Sequence, residues 1–249
     1  MERKVALVTG ASAGIGAAAA RLLAANGFDL ALGYHSDEAG ARATAAQVEA
    51  AGGRAVLLRA DLSSAEGVEA LFTGFDAAFA RLDALVNNAG IIDRAARIED
   101  MDGARLARMF ATNLAGPFLV AGKTVRRMST AHGASGGVIV NISSVAARLG
   151  AAGNYADYAA SKAGIDILTK ALAEEVATEG IRVNGIRPGL IDTAIHGKGG
   201  QPDRPNKLAP SVPMQRVGTA DEVAEAIAWL VSAKSGYVTG ATLDVSGGR

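Results

Sequence analysis

The chain has 249 residues, 49% hydrophobic and 20% charged, enough apolar material for one large core and in the usual range for an α/β domain. Lys plus Arg is 25 and Asp plus Glu is 25, so there is no overall basic field to hold nucleic acid or an anionic membrane. With no cysteine, disulfides and thiolate metal sites are excluded, and the chain suits a reducing, cytoplasmic compartment.

The opening MERKVALVTG enters a strand-like run directly, without an apolar signal segment, and alanine-rich stretches such as GIGAAAARLLAANG are too short and too weakly apolar to span a bilayer. The runs KVALVT, FDLALGY, RAVLLRA, ALVNN, GVIVNIS, IRVNGIR and ATLDVS then recur along the chain. Helical patterns lie between them, at 14–26, 37–51, 63–80, 101–128, 153–179 and 221–232. Short strands apolar on both faces, alternating with helices, predict a doubly wound α/β Rossmann architecture in one domain spanning 1–249. Residues 194–213, AIHGKGGQPDRPNKLAPSVP, have no periodicity and read as a substrate lid or binding loop. Lys198, Arg204 and Lys207 outnumber Asp203 there, an excess that could greet an anionic group or belong to a solvated loop.

The first strand ends in TGASAGIG. Gly10, Gly14 and Gly16, with Ser12 and Ile15 between them, allow a tight turn whose N–H groups can approach a pyrophosphate at the next helix N-terminus. The second strand ends Gly33-Tyr34-His35-Ser36, without the carboxylate that would bind the ribose hydroxyls of NAD. Ser36 reads as a helix cap and Asp37 as a first-turn residue. Lacking a repelling acid, and with a histidine able to take a proton, this end favours NADP(H), with NAD(H) as the alternative.

Asp61 and Leu62 end the third strand, Asn87-Asn88-Ala89-Gly90 the fourth, Ser143-Ser144 the fifth and Pro188-Gly189 the sixth. In a parallel sheet these ends share one edge, where ligands bind. In the helix at 101–128, Pro117 follows Asn113 by four residues, so the Asn113 carbonyl should lose its partner and the helix should kink. In NYADYAASKAG, residues 154–164, Tyr158 and Lys162 lie one helical turn apart, whereas Tyr155 is almost two turns from Lys162.

These residues resemble the short-chain dehydrogenases/reductases. TGASAGIG matches the family's TGxxxGIG loop, NNAG its strand end, YAASK its YxxxK motif and RPGLIDT its PG segment, so the likeness runs from Val5 to Gly248. It implies a seven-stranded parallel sheet, NAD(P)-dependent hydride transfer between an alcohol and a carbonyl without a metal, and a homodimer or homotetramer. It also implies that Tyr158 is the acid or base, that Lys162 lowers its pKa and holds the nicotinamide ribose, and that Ser144 binds the substrate oxygen. The Asn113 carbonyl would hold a relay water, and Ile191 and Thr193 would position the carboxamide. The Ser144-to-Tyr158 interval is one residue longer than the family's commonest, so a bulge is expected and Ser143 stays open as the substrate serine. Within the family the chain resembles the sugar or polyol dehydrogenases and carbonyl reductases. A 3-oxoacyl carrier-protein reductase is the alternative within enzymes, and a non-catalytic NADP-binding sensor the alternative outside them.

Overall fold

In the computed structural model, which describes residues 3–193, 197, 199–201 and 203–249, each apolar run becomes a strand. They are β1 (Lys4–Thr9), β2 (Phe28–Tyr34), β3 (Ala55–Arg59), β4 (Ala84–Asn87), β5 (Gly137–Ile142), β6 (Ile181–Pro188) and β7 (Thr242–Val245). All pair in parallel, in the order β3-β2-β1-β4-β5-β6-β7. Ala6 of β1 stands between Leu30 of β2 and Ala84 of β4. The winding reverses between β1 and β4, and such a reversal opens a crevice at the carboxyl ends of the strands.

The helices are α1 (Gly14–Ala25), α2 (Glu38–Ala50), α3 (Ala65–Ala78), α4 (Gly103–Phe110), α5 (Gly116–Met128), α6 (Ala146–Leu149), α7 (Ala156–Glu175), α8 (Arg204–Leu208) and α9 (Ala220–Val231). Alternate residues of each strand point to opposite faces, so a run apolar throughout feeds two cores. Ala6, Val8, Leu30 and Leu32 pack with Leu23 of α1 and Ile227 of α9. On the other face Leu7, Leu85 and Ile139 pack with Phe72 and Phe75 of α3, Val120 of α5 and Ile165 of α7. Truncating a side chain such as Leu7 to alanine would cost about 2–5 kcal/mol.

Three expectations are corrected in detail. Asp37, not Ser36, caps α2: its Oδ1 accepts from the Gly40 N–H at 2.9 Å, and the Ser36 carbonyl is taken by a turn to Glu38. The helix at 101–128 divides into α4, a π turn at Ala111–Ala115 in which the Gly116 N–H reaches the Ala111 carbonyl, and α5 with Pro117 in its first turn. Widening the turn accommodates a proline that cannot donate, so the expected kink takes the form of a π-bulge. The extra residue before Tyr158 is taken up by α6 and a left-handed Ala151 at φ 48°.

The 194–213 segment contains α8 and a 3₁₀ turn at Ala209–Ser211. Residues 194–196, 198 and 202, and with them Lys198, lie outside the described residues. No helix among the described residues is long and apolar enough to cross a membrane.

Candidate active site

The carboxyl ends of the strands frame a cleft of about 660 Å³. The residues assigned in the sequence to catalysis or nucleotide binding all line it except Gly16 and Asn113, which act from behind. Gly10 and Gly14 adopt φ of 65° and 56°, the left-handed region that favours glycine, and a Cβ on Gly16 would overlap the Gly10 carbonyl oxygen. Thr193 closes over this loop, its Cγ2 3.2 Å from where a Gly14 Cβ would stand.

The loop is held by polar contacts of its neighbours. Thr9 Oγ1 accepts from the N–H groups of Asn88 and Ala89, each at 2.9 Å, while Asn88 Nδ2 donates to the Thr9 and Gly10 carbonyls at 2.9 and 3.2 Å. The Asn88 carboxamide is therefore committed to holding the loop. Thr9 was missed in the sequence, although it stands directly before the first glycine. Asn87 Nδ2 donates to the Pro117 carbonyl at 3.0 Å and to Asn141 Oδ1 at 3.2 Å, which fixes α5 to the sheet beneath the cleft.

α2, α3, α4 and α9 are each capped by a side chain, of Asp37, Ser64, Asp102 and Thr219. α1 has Ala13 at its cap, no side-chain hydrogen bond there and no acid in its first turn. Its N-terminal N–H groups face the cleft beside two left-handed glycines. This donor set fits a dinucleotide pyrophosphate.

At the β2 end, Tyr34, His35 and Ser36 line the cleft with no carboxylate among them, and the Arg59 Nε donates to the His35 carbonyl at 3.2 Å. Arg59 was not singled out in the sequence, because only strand pairing brings the β3 end beside β2. Asp61 Oδ1 accepts from the Ser63 hydroxyl at 2.7 Å and its N–H at 3.0 Å. These bonds, with a smaller contribution from His35, hold its carboxyl below the usual range.

The reactive groups meet at the β5 end. Ser143 is buried and donates its hydroxyl to the Lys162 carbonyl at 2.9 Å, whereas Ser144 hydrogen-bonds Tyr158. The structure thus separates the two serines: Ser143 anchors α7 and Ser144 faces the cleft. Lys162 Nζ donates to the Ile142 carbonyl at 2.8 Å and lies 5.8 Å from the centre of the Tyr158 ring. Burial pulls the lysine down from 10.5 to about 8, against the opposing charge of Asp166.

Burial raises the Tyr158 phenol above its ordinary value, and the Ser144 hydrogen bond opposes that rise. The resemblance implies the opposite direction, through Lys162; here burial is the larger influence on the phenol.

Asn113 acts through its side chain. Oδ1 accepts from the Ile91 N–H at 2.7 Å and Nδ2 donates to the Ile91 carbonyl at 2.8 Å, just behind Gly90. A Cβ on Gly90 would stand 3.3 Å from Asn113 Oδ1 and 3.5 Å from Lys162 Nζ. Tyr155 turns away from Lys162 and carries the Arg204 guanidinium on its ring. Asp157 beside it is buried and pairs through both oxygens with Arg105, at 2.7 and 3.1 Å, tying α4 to the start of α7.

Residues 10–249 match the family model described as enoyl-(acyl carrier protein) reductase. The chain is 48% identical over 245 residues to the uncharacterized oxidoreductase YgfF of Escherichia coli, covering 98% of this chain and 99% of that one. It is 40% identical over 245 residues to cis-4-hydroxycyclohexanecarboxylate dehydrogenase of Sinomonas cyclohexanicum, covering 98% and 96%. Two solved structures superpose with TM-scores of 0.90 at 33% identity. One is a 3-ketoacyl-(acyl-carrier-protein) reductase from Brucella melitensis complexed with NADH, covering 99% of this chain and 98% of that one. The other is a short chain dehydrogenase from Burkholderia cenocepacia in complex with NADP, covering 98% and 97%. A glycine cradle at an uncapped helix, a serine–tyrosine–lysine cluster two strands away on the same sheet edge and these likenesses converge: the chain belongs to the short-chain dehydrogenase/reductase family, NAD(P)-dependent oxidoreductases that transfer hydride between an alcohol and a carbonyl.

Proposed function

We propose that this single domain interconverts a small secondary alcohol and its ketone, of the sugar, polyol or small carbonyl type, with Tyr158 as the acid or base. The observation that carries the reading is that Ser144 and Tyr158 line the same cleft, with Lys162 one turn behind Tyr158. The nicotinamide, when bound, accepts or supplies the hydride. In oxidation the Tyr158 phenolate takes the hydroxyl proton, and in reduction the phenol returns it. Ser144 donates to the substrate oxygen, a bond that strengthens as negative charge builds there. Lys162 lies deep enough to steady both the phenolate and a ribose hydroxyl, and Asn113 fixes the Ile91 backbone that walls the site. Ile191 and Thr193, lining the cleft beyond β6, fit a carboxamide.

Two finer assignments belong to the same reading. NADP(H) is preferred over NAD(H), supported by the acid-free Tyr34-His35-Ser36 end and by Arg59 beside it. The Asp37 carboxylate that also lines the cleft is engaged by its own cap. The working form is a homodimer or homotetramer, supported by Phe118 and Leu119 on α5 and Ile167 on α7, which are 48%, 43% and 68% exposed. The cysteine-free chain suits the cytoplasm.

A panel of sugars, polyols and small ketones, read by NADPH and NADH absorbance, tests the activity, and calorimetric titration of both nucleotides tests the preference. Absence of turnover across the panel, or NAD(H) binding as tight as NADP(H), would overturn the respective statement. Sedimentation tests the assembly, which a monomer at micromolar concentration would contradict.

A further inference from the structure

Tyr155 precedes the first turn of α7 and is 3% exposed, its hydroxyl 3.5 Å from the Gly199 carbonyl. The Arg204 guanidinium lies over its ring, Cζ 4.7 Å from the centre. Both residues line the same cleft as Ser144 and Tyr158. Two arginines near this end are matched: Arg108, which also lines the cleft, pairs with Asp93, and Arg105 with Asp157. Arg204 makes no ion pair and no side-chain hydrogen bond among the described residues. Ile92, Val145 and Leu149 add apolar surface to the same cleft.

A guanidinium stacked on an aromatic face keeps its N–H edge for a planar acceptor, and it stays charged at any pH the protein meets. Stacking also restricts the side chain before ligand arrives, so less freedom is lost on binding. An unmatched, pre-oriented guanidinium in a mostly apolar cleft selects for one charge on an otherwise apolar body.

Resting on the hydride-transfer reading, we propose that the substrate carries a carboxylate on a compact apolar frame, and that Arg204, stacked on Tyr155, is the residue that selects it. The carboxylate docks on the guanidinium edge while the carbinol or carbonyl carbon lies toward Ser144 and Tyr158. Neutral sugars and polyols would then be turned over with higher KM than hydroxy acids of the same size.

Binding to the nucleotide-loaded protein tests this without requiring turnover. The probes are cyclohexanecarboxylate and cyclohexanecarboxamide, which share a frame and differ in charge, titrated by calorimetry in the presence of saturating NADP⁺. The carboxylate should bind roughly ten- to a hundredfold tighter than the amide, the size of a charge-assisted hydrogen bond. Arg204→Gln should bring the carboxylate to the level of the amide, and Arg204→Lys should keep part of the preference. Lys207→Gln, which removes an exposed cation from the same short helix, should leave the preference intact. Equal binding of the two probes by the wild type, a preference retained in Arg204→Gln, or an equal loss in Lys207→Gln would each overturn the assignment. Failure of the hydride-transfer reading shows separately, as absence of turnover with any ketone while the binding comparison still decides Arg204.

Discussion

Tyr155 and Tyr158 lie three residues apart in the chain and each faces a cation, yet the two pairs are built differently. Lys162 reaches Tyr158 from the same helix, one turn on, buried, with its proton loosened to about 8. Arg204 reaches Tyr155 from α8, far along the chain, and keeps its charge regardless of surroundings. A lysine that can release its proton suits proton traffic, and an arginine that cannot suits holding an anion. On the proposed reading, the pair made by local helix geometry is the chemical one, and the pair made by long-range packing is the binding one.

The largest effect should come from separating the tyrosines. Tyr158→Phe removes the proton-carrying hydroxyl and should lower kcat by roughly 10²- to 10⁴-fold while nucleotide binding is nearly kept. Tyr155→Phe retains the ring under Arg204 and should change kcat far less. Steady-state kinetics on both variants decides the matter, and an inactive Tyr155→Phe beside an active Tyr158→Phe would reverse the comparison.

Lys162 can be tested through stability. Its ionisation in the fold is depressed from 10.5 to about 8, so the folded state disfavours the charged form. Below about pH 8 both folded and unfolded chains carry the proton, and the fold bears the full cost. Between about 8 and 10.5 the folded chain has shed a proton that the unfolded chain still holds, and that cost is progressively relieved. Wild-type protein should therefore gain stability relative to Lys162→Met across this window, by a few kcal/mol at most. Denaturant midpoints at several pH values measure it, and a constant difference would place the lysine's ionisation elsewhere.

A smaller effect isolates Ser144. Its hydrogen bond lowers the phenol that burial raises, so Ser144→Ala should move the ascending limb of the kcat/KM profile for oxidation to higher pH, besides slowing turnover. A limb that stays in place would assign it to another group. The smallest effect is expected at Arg59, which is exposed: Arg59→Ala should weaken NADP(H) several-fold more than NAD(H), the scale of a solvent-screened charge contact. Equal loss for both nucleotides would remove it from 2′-phosphate recognition.

Much of this molecule follows from short-range pattern. The apolar runs became the strands of the sheet, because residues apolar on both faces have nowhere to go but between two helical layers. The glycine loop and the Tyr158–Lys162 pair were readable for the same reason, since a left-handed turn needs glycine and one helical turn sets the distance. What needed the tertiary structure is whatever depends on neighbours distant in the chain. Ser143 and Ser144 look alike in the sequence, and only the packing of β5 against α7 turns one toward Lys162 and leaves the other to Tyr158. The clasp of Asn113 on Ile91, the placement of Arg59 beside β2 and the stacking of Arg204 on Tyr155 arise in the same way. The direction of the Tyr158 shift also belongs to the structure, because desolvation is set by everything that surrounds a group and not by the partner one turn away.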